Sequence, residues 1–307
     1  MTVTRDDIQL AAQRIAGRVR RTPVLRVSPT LSLKLELLQH VGSFKPRGAF
    51  NRLLTAKEQG ALTAGQGVVT ASGGNAGLAV AYAARELGVP ARIFVPVNAP
   101  AAKVARLKTL DADVVQHGNE YAEAYEAALA ASEESGALLV HAFDQPEVVA
   151  GQGTLGLELL EGIDGFDTVL VAVGGGGLIA GIATAIGDRA RVIGIEPELA
   201  PTLRRALDAG HPVDVQVGGV AADSLGARRL GELAFEAVTA NDVQSLLVGE
   251  DAIVAARNDL WRDYQLAAEH GAAVTYAALQ SGLYQPAPDE RVVVVVCGAN
   301  TDLSTIG

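Results

Sequence analysis

The chain has 307 residues, 49% of them hydrophobic, and a formal net charge of −10. That length suits one large domain or two modest ones with real cores, and the acidic balance argues against a nucleic-acid partner, since the densest basic cluster is only Arg18, Arg20 and Arg21. The single cysteine, Cys297, excludes an internal disulfide and suits a reducing compartment, and no apolar run approaches the ~20 residues of a membrane span, so a cytoplasmic protein without a membrane partner is expected.

From the N-terminus, Thr4 can cap a helix with Asp7 three residues on and Ile8, Ile15 and Val19 along one face, which is not the pattern of a signal peptide. Arg21-Thr22-Pro23 is a turn or extended link, and residues 31–38 alternate at first and predict a strand. The chain then reaches Gly42-Ser43-Phe44-Lys45-Pro46-Arg47-Gly48-Ala49. Pro46 suits the first turn of a helix and should push Lys45 out of helical geometry. Ala49, Phe50, Leu53 and Leu54 carry the helix on, and Gly60 can end it. The positive end of the helix dipole disfavours an ammonium ion at Lys45, and Phe44 beside it helps exclude water. A lysine held partly neutral can form a Schiff base or act as a general base; the competing reading is a solvated lysine near a turn.

Beyond this point strands alternate with helices. Strands are predicted at 67–71, 92–96, 112–116 and 138–141, with helices at 76–87, 101–110 and 120–135. The pattern restarts with a helix at 151–160, a buried strand at 168–173 and a helix from Leu178. A strand at 191–195, helices at 199–209, 224–238, 252–264 and 271–280, and a last strand at 291–296 complete it. This order implies parallel sheets with right-handed crossovers. Two open, mainly parallel α/β domains are expected, with residues 67–144 forming a smaller one and residues 1–66 and 145–307 a larger one. Ligands in such sheets bind at the carboxyl ends of the strands.

Three glycine-rich turns fall at such ends. Gly174-Gly175-Gly176-Gly177 follows a buried strand and opens a helix at Leu178. Its N–H groups can converge on an anion, yet it is neither a dinucleotide fingerprint, whose third glycine would fall on Ile179, nor a Walker loop, since no Lys-Ser or Lys-Thr follows. A phosphate cup for a small cofactor is one reading, a tight turn with close packing the other. In Ser72-Gly73-Gly74-Asn75 the N–H groups and Ser72 hydroxyl suit a carboxylate and the Asn75 amide a ring oxygen, although taken alone the turn is better read as an ordinary helix start with Asn75 as its cap. Cys297-Gly298-Ala299-Asn300 ends the last strand, where a lone cysteine is often a small core hydrophobe. Asp223 is a helix cap or a charge on the cleft wall. The five histidines, His40, His117, His141, His211 and His270, show no metal spacing.

A reactive lysine, a phosphate cup and a carboxylate-binding turn together point to pyridoxal phosphate chemistry on an amino acid. From about Thr22 to Asp302 the chain resembles the threonine/serine dehydratase and serine racemase group of pyridoxal phosphate enzymes. The resemblance is carried by the motif around Lys45 with Glu36 upstream, by Val149-Ala150-Gly151-Gln152-Gly153-Thr154, and by the tetraglycine followed by Leu178. It implies the family's fold type II, with the cofactor in the cleft between domains. By the same resemblance Lys45 bonds the cofactor covalently, Phe44 packs near its ring, and Asn75 bonds its phenolic oxygen. Gly174, Gly175, Gly176, Gly177 and the Leu178 amide would hold the phosphate, and Cys297 would face the pyridine nitrogen, where the family usually has serine. Ser72, Gly73 and Asn75 would surround the substrate carboxylate, with Asp223 on the substrate side. A homodimer is implied.

The chain departs from the family at the cation site. Glu196 and Ala200 occupy two of its positions, but Thr202 stands where a carboxylate is usual, so a tightly held Mg²⁺ is not expected and a monovalent or weakly bound divalent cation is what remains. The expected activity is β-elimination from L-threonine, L-serine or a similar β-hydroxy amino acid, giving a 2-oxo acid and ammonia. The alternatives are an amino-acid racemase, a β-replacement synthase, and a non-catalytic two-lobed binding protein.

Overall fold

The structure, a computed structural model, describes residues 2–63 and 65–307. Among these, the chain forms α1 (Arg5–Arg14), β1 (Val24–Arg26), β2 (Leu31–Lys34), α2 (Pro46–Glu58), β3 (Val68–Ala71), α3 (Asn75–Leu87), β4 (Ala91–Val95), α4 (Ala101–Lys108), β5 (Asp113–Gln116), α5 (Tyr121–Ser135) and β6 (Leu138–Leu139). It continues through α6 (Pro146–Gly162), β7 (Thr168–Ala172), α7 (Gly177–Ile186), β8 (Arg191–Pro197), α8 (Thr202–Ala209), α9 (Glu232–Ala240), β9 (Gln244–Val248), α10 (Glu250–Tyr264), α11 (His270–Gln280) and β10 (Val292–Val295). No described helix is long and apolar enough to cross a membrane.

The strands build two sheets. One runs in the order β1-β2-β10-β7-β8-β9, and the other β5-β4-β3-β6. All pairings are parallel except β1 with β2. Parallel sheets are covered on both faces, which is why β7 (TVLVA) and β10 (VVVV) are buried at every residue and are apolar runs rather than alternations. The four-stranded sheet lies within residues 68–139, inside the span expected for the smaller domain. Its core also recruits Ala49, Phe50, Leu53 and Ala56 from α2, which therefore bridges the two units.

Helix α6 is the wedge that places the site. A Cβ on its Gly151 would come within 2.5 Å of the Arg47 carbonyl oxygen, and one on Gly181 of α7 within 2.5 Å of the Val149 carbonyl oxygen. Backbone-to-backbone contact on both sides thus brings the start of α2, with Lys45, and the start of α7, with the tetraglycine, against one helix.

Three predicted features need correction, and two strands are additional. The strand expected over 31–38 stops at Lys34, and residues 36–38 form a 3₁₀ turn because Glu36 turns inward to Arg47. The helix expected over 224–238 begins only at Glu232. Gly231 before it is extended, and the Asp144 carboxylate accepts from the Glu232 and Leu233 N–H groups at 3.1 Å each, which starts the helix there. The short strands β1 and β9 were not expected, each pairing along one edge of the large sheet. Finally, Lys45 is not expelled from helical geometry by Pro46. Its φ is −56° and ψ −32°, and its carbonyl accepts the N–H of Ala49 as the first helical bond of α2. The anchoring of Arg47 outweighs the local preference that a proline imposes on the residue before it.

Candidate active site

Lys45 sits at the head of α2, and Arg47 two residues on is what fixes it. Arg47 is 1% exposed and Glu36 fully buried. The Arg47 guanidinium donates to Glu36 at 2.6 and 3.0 Å and to Glu158 at 2.7 Å, and Lys34 donates to Glu158 at 2.6 Å. Two cations and two anions give a buried quartet without net charge, each member hydrogen-bonded, which is the condition under which buried ions are tolerated. It ties β2, α2 and α6 together immediately behind the lysine.

The Lys45 ammonium is enclosed and donates to the Ala142 carbonyl oxygen at 2.7 Å. The Phe44 ring lies beneath it, 5.1 Å from nitrogen to centroid. Burial lowers the Lys45 pKa to about 8, with Cys297 and Glu269 acting in the opposite sense. A larger neutral fraction near pH 8 than an ordinary lysine has follows, and with the bond to Ala142 this weighs against the solvated-lysine reading.

The carbonyl that Lys45 meets belongs to a turn the sequence reading passed over. His141 Nδ1 accepts from the N–H groups of Asp144 at 2.9 Å and Phe143 at 3.3 Å, which fixes the turn and leaves the ring proton on Nε2. The Phe143 ring then packs against Gly175, where any Cβ would overlap it, and its carbonyl oxygen would stand 2.7 Å from a Cβ on Gly177. Gly176 has φ +86° and a Cβ there would fall 2.5 Å from that of Ala234. The close-packing reading of the tetraglycine therefore holds. The anion reading holds beside it. No backbone carbonyl among the described residues accepts from the Gly174, Gly175 or Gly176 N–H, the N-cap Gly176 has no side chain to cap α7, and the Leu178 amide stands in that first turn. Unpartnered donors at a helix start form a site for a phosphate-sized anion.

Asn75 is not the cap of α3. It is the first helical residue, Gly74 is the cap, and the Asn75 side chain reaches across the cleft to Glu269 at 2.9 and 3.2 Å and takes a hydrogen bond from Asn300 Nδ2 at 2.5 Å. Ser72 accepts from the Gly74 N–H at 3.2 Å, and Gly73 lies on the cleft with open backbone. Cys297 is 3% exposed at the end of β10, its carbonyl accepting from the Phe44 N–H at 3.2 Å. Burial pushes its thiol well above the ordinary cysteine range, so it stays protonated. Asp223 is not a helix cap. It stands on the cleft wall in an ion pair with Lys103 of α4.

Gly73, Asn75 and Asp223 border a cleft of about 480 Å³ together with Lys103, Glu269 and Asn300, whereas Lys45 lines a separate small cavity with Ala142 and Gln152, and neither Cys297 nor the tetraglycine borders either space. A wider groove of about 720 Å³ past Glu198, Arg205 and Val217 contains none of them. Glu196 and Ala200 face away from any open space. Glu196 is fully buried and accepts from the N–H groups of Leu203 at 2.7 Å and Arg204 at 2.8 Å and from the Ser245 hydroxyl at 2.6 Å. It serves as an anionic cap for α8, and no cluster of three or more metal-binding side chains occurs among the described residues.

Sequence reasoning missed Glu269, Ala142 and Phe143. The last two are apolar or act through backbone, and nothing in their spacing marks them. Glu269 stands 194 positions from the Asn75 amide that it holds.

Residues 15–298 match the family model described as pyridoxal-phosphate dependent enzyme. The chain is 38% identical to the L-threonine ammonia-lyase of Thermotoga maritima, over 99% of this chain and 77% of that protein. It is 35% identical to the catabolic L-threonine dehydratase of Escherichia coli K12, over 100% and 95% respectively. The structure of maize serine racemase superposes with a TM-score of 0.92 at 33% identity, covering 99% of this chain and 96% of that one.

Proposed function

The chain belongs to the pyridoxal-phosphate dependent enzyme family, and we propose that it works there as an ammonia-lyase of the threonine/serine dehydratase kind. Its reaction converts a β-hydroxy amino acid to a 2-oxo acid and ammonia. The observation that carries this reading is the enclosed Lys45 amine, joined through the 142–143 turn to a glycine loop whose donors are free. A lowered-pKa amine beside an anion-binding loop fits a phosphorylated aldehyde cofactor.

Pyridoxal phosphate, when bound, supplies an electron sink for the charge left at the substrate Cα. The Gly174–Gly177 loop and the Leu178 amide would hold its phosphate, Phe44 would lie beside its ring, and Cys297 would stand near the ring nitrogen. The Asn75 amide would donate to the ring oxygen. Ser72 and the N–H groups around Gly73 receive the substrate carboxylate, orienting Cα towards Lys45. Lys45 would take the substrate's Cα proton at Nζ. Asp223, held by Lys103, walls the substrate side. Loss of the β-hydroxyl with a proton as water leaves an enamine, which takes up one water and gives the 2-oxo acid and ammonia.

Elimination is favoured over racemisation by Gly73, which has no side chain to hand a proton to the face opposite Lys45. We place the enzyme in the cytoplasm and read it as a homodimer; the single buried cysteine supports the former. Purified protein supplied with the cofactor should be yellow, and assay of oxo-acid release across a panel of β-hydroxy amino acids tests the activity. Lys45→Ala must lose both colour and turnover; a variant turning over at the wild-type rate would sink the assignment.

A further inference from the structure

One buried acid borders the cleft without a part in the chemistry above. Glu269 is 6% exposed and precedes α11. Its carboxylate accepts from Asn75 Nδ2, on the opposite domain. It packs so closely on Gly298 that no Cβ fits there. The residue after Cys297 must therefore be glycine for this acid to be accommodated.

The hydrogen-bond inventory of Asn75 explains what such an acid does. An asparagine amide has two N–H donors and one oxygen. The oxygen is occupied by Asn300 Nδ2. The two oxygens of one carboxylate subtend too small an angle at a single nitrogen to take both of its hydrogens, so Glu269 shares one N–H between them. What Asn75 has left is one N–H. Were the amide turned over, its oxygen would face the Glu269 carboxylate and its nitrogen would face the Asn300 amine, setting two like pairs against each other in a buried place.

We propose that Glu269 is a positioning residue: together with Asn300 it sets the polarity of the Asn75 amide, so that this side chain offers the cofactor's ring oxygen a donor and never an acceptor. The inference rests on Asn75 being the residue that meets that oxygen. A donor there keeps the ring oxygen ionised. The arrangement depends on Glu269 being an acceptor only. A proton on Glu269 makes it a donor as well and removes the bias.

Several charged or titratable groups face Glu269 and share in setting where it takes that proton: Lys45 at the head of α2, Cys297 after β10, Asp223 on the 219–231 segment and Lys103 on α4. His270 adjoins it on α11, backed by Arg257 of α10. Burial is the largest influence and pushes the Glu269 pKa up to about 7, opposed by the bond from Asn75.

The test follows the visible band of the pyridoxal phosphate-loaded enzyme from pH 5.5 to 9 and the affinity for the cofactor. It compares wild type, Glu269→Gln, Asn75→Ala and the double variant, with thermal melts to confirm folding. Glutamine carries both a donor and an acceptor, so it cannot discriminate. We expect a midpoint near neutrality in the wild type that Glu269→Gln abolishes, a wild-type spectrum at low pH that converges on the variant's, and cofactor affinity weakened about fivefold, the worth of one hydrogen bond. In an Asn75→Ala background the same change at Glu269 should do nothing more. A Glu269→Gln enzyme matching wild type in spectrum and midpoint, or an effect that survives in full without Asn75, overturns the proposal. A colourless wild type would instead sink the functional reading, and this one with it.

Discussion

The Thr202 hydroxyl donates to the Gly174 carbonyl oxygen at 2.5 Å. A hydroxyl has one hydrogen, so the 3.3 Å approach of the same oxygen to Glu196 is the weaker contact. Thr202 thus tethers the first glycine of the anion-binding loop to α8, while Glu196 is consumed by the N–H groups that begin that helix. We predict that a divalent chelator leaves turnover unchanged. Thr202→Val, which keeps the shape and removes the tether, should weaken cofactor binding by about fivefold, corresponding to about 1 kcal/mol. Cofactor titration of the variant measures the second effect, and inactivation by chelator reversed by Mg²⁺ or Ca²⁺ would refute the first.

On the proposed reading Cys297 would offer the ring nitrogen a weak donor, and burial keeps that thiol neutral. Elimination needs no long-lived carbanion, so a protonated ring is not required. Cys297→Ser should change kcat less than threefold, since one small neutral donor replaces another (~0.5 kcal/mol). Cys297→Asp should protonate the ring and slow elimination at least tenfold (~1.4 kcal/mol). Steady-state kinetics decide, and loss of cofactor binding in the serine variant would mean that Cys297 has another role.

A Cβ added at Gly73 would touch only Val95 Cγ1, at 3.5 Å, an ordinary contact. The turn therefore accommodates Gly73→Ser with little loss of stability. On the proposed reading the new hydroxyl would supply a second proton donor, so racemisation of L-serine should rise relative to elimination, from a trace to a measurable fraction. Following D-serine and pyruvate together tests it. Wild-type enzyme making D-serine as fast as pyruvate would contradict the elimination reading outright.

The cofactor-free protein should show an unusual pH profile. Glu269 has its pKa raised from 4.5 to about 7 in the fold, so the folded state binds more protons than the unfolded chain in that interval. Its contribution is complete below pH 4.5 and is lost as pH rises towards 7, amounting to roughly 3 kcal/mol. Lys45 is lowered from 10.5 to about 8, so there the unfolded chain binds more protons and stability recovers as pH climbs through that window. Urea unfolding of apo-protein at stepped pH should show the acid-side fall, and Glu269→Gln should flatten it.

Much of this architecture is legible in sequence because parallel strands buried on both faces, such as Thr168–Ala172 and Val292–Val295, leave unmistakable apolar runs. Lys45 is legible through Pro46 and the tetraglycine through its position after a strand. What was hidden is long-range. Asn75 carries no mark that its amide leaves its own helix for Glu269, and the start of α9 is set by Asp144, 88 positions away. The geometry of Lys45 was misread because a local proline rule lost to a buried ion pair formed between Arg47 and Glu36.

The solitary thiol also gives the molecule a built-in clock. Cys297 lies closed off behind the cleft and stays protonated, so an alkylating reagent reaches it only when the two domains part or the end of β10 comes undone. No competing sulfhydryl exists anywhere in the chain. At reagent concentrations high enough for alkylation to outpace reclosing, the rate at which reagent is consumed, with and without cofactor, therefore reports how often that thiol is uncovered.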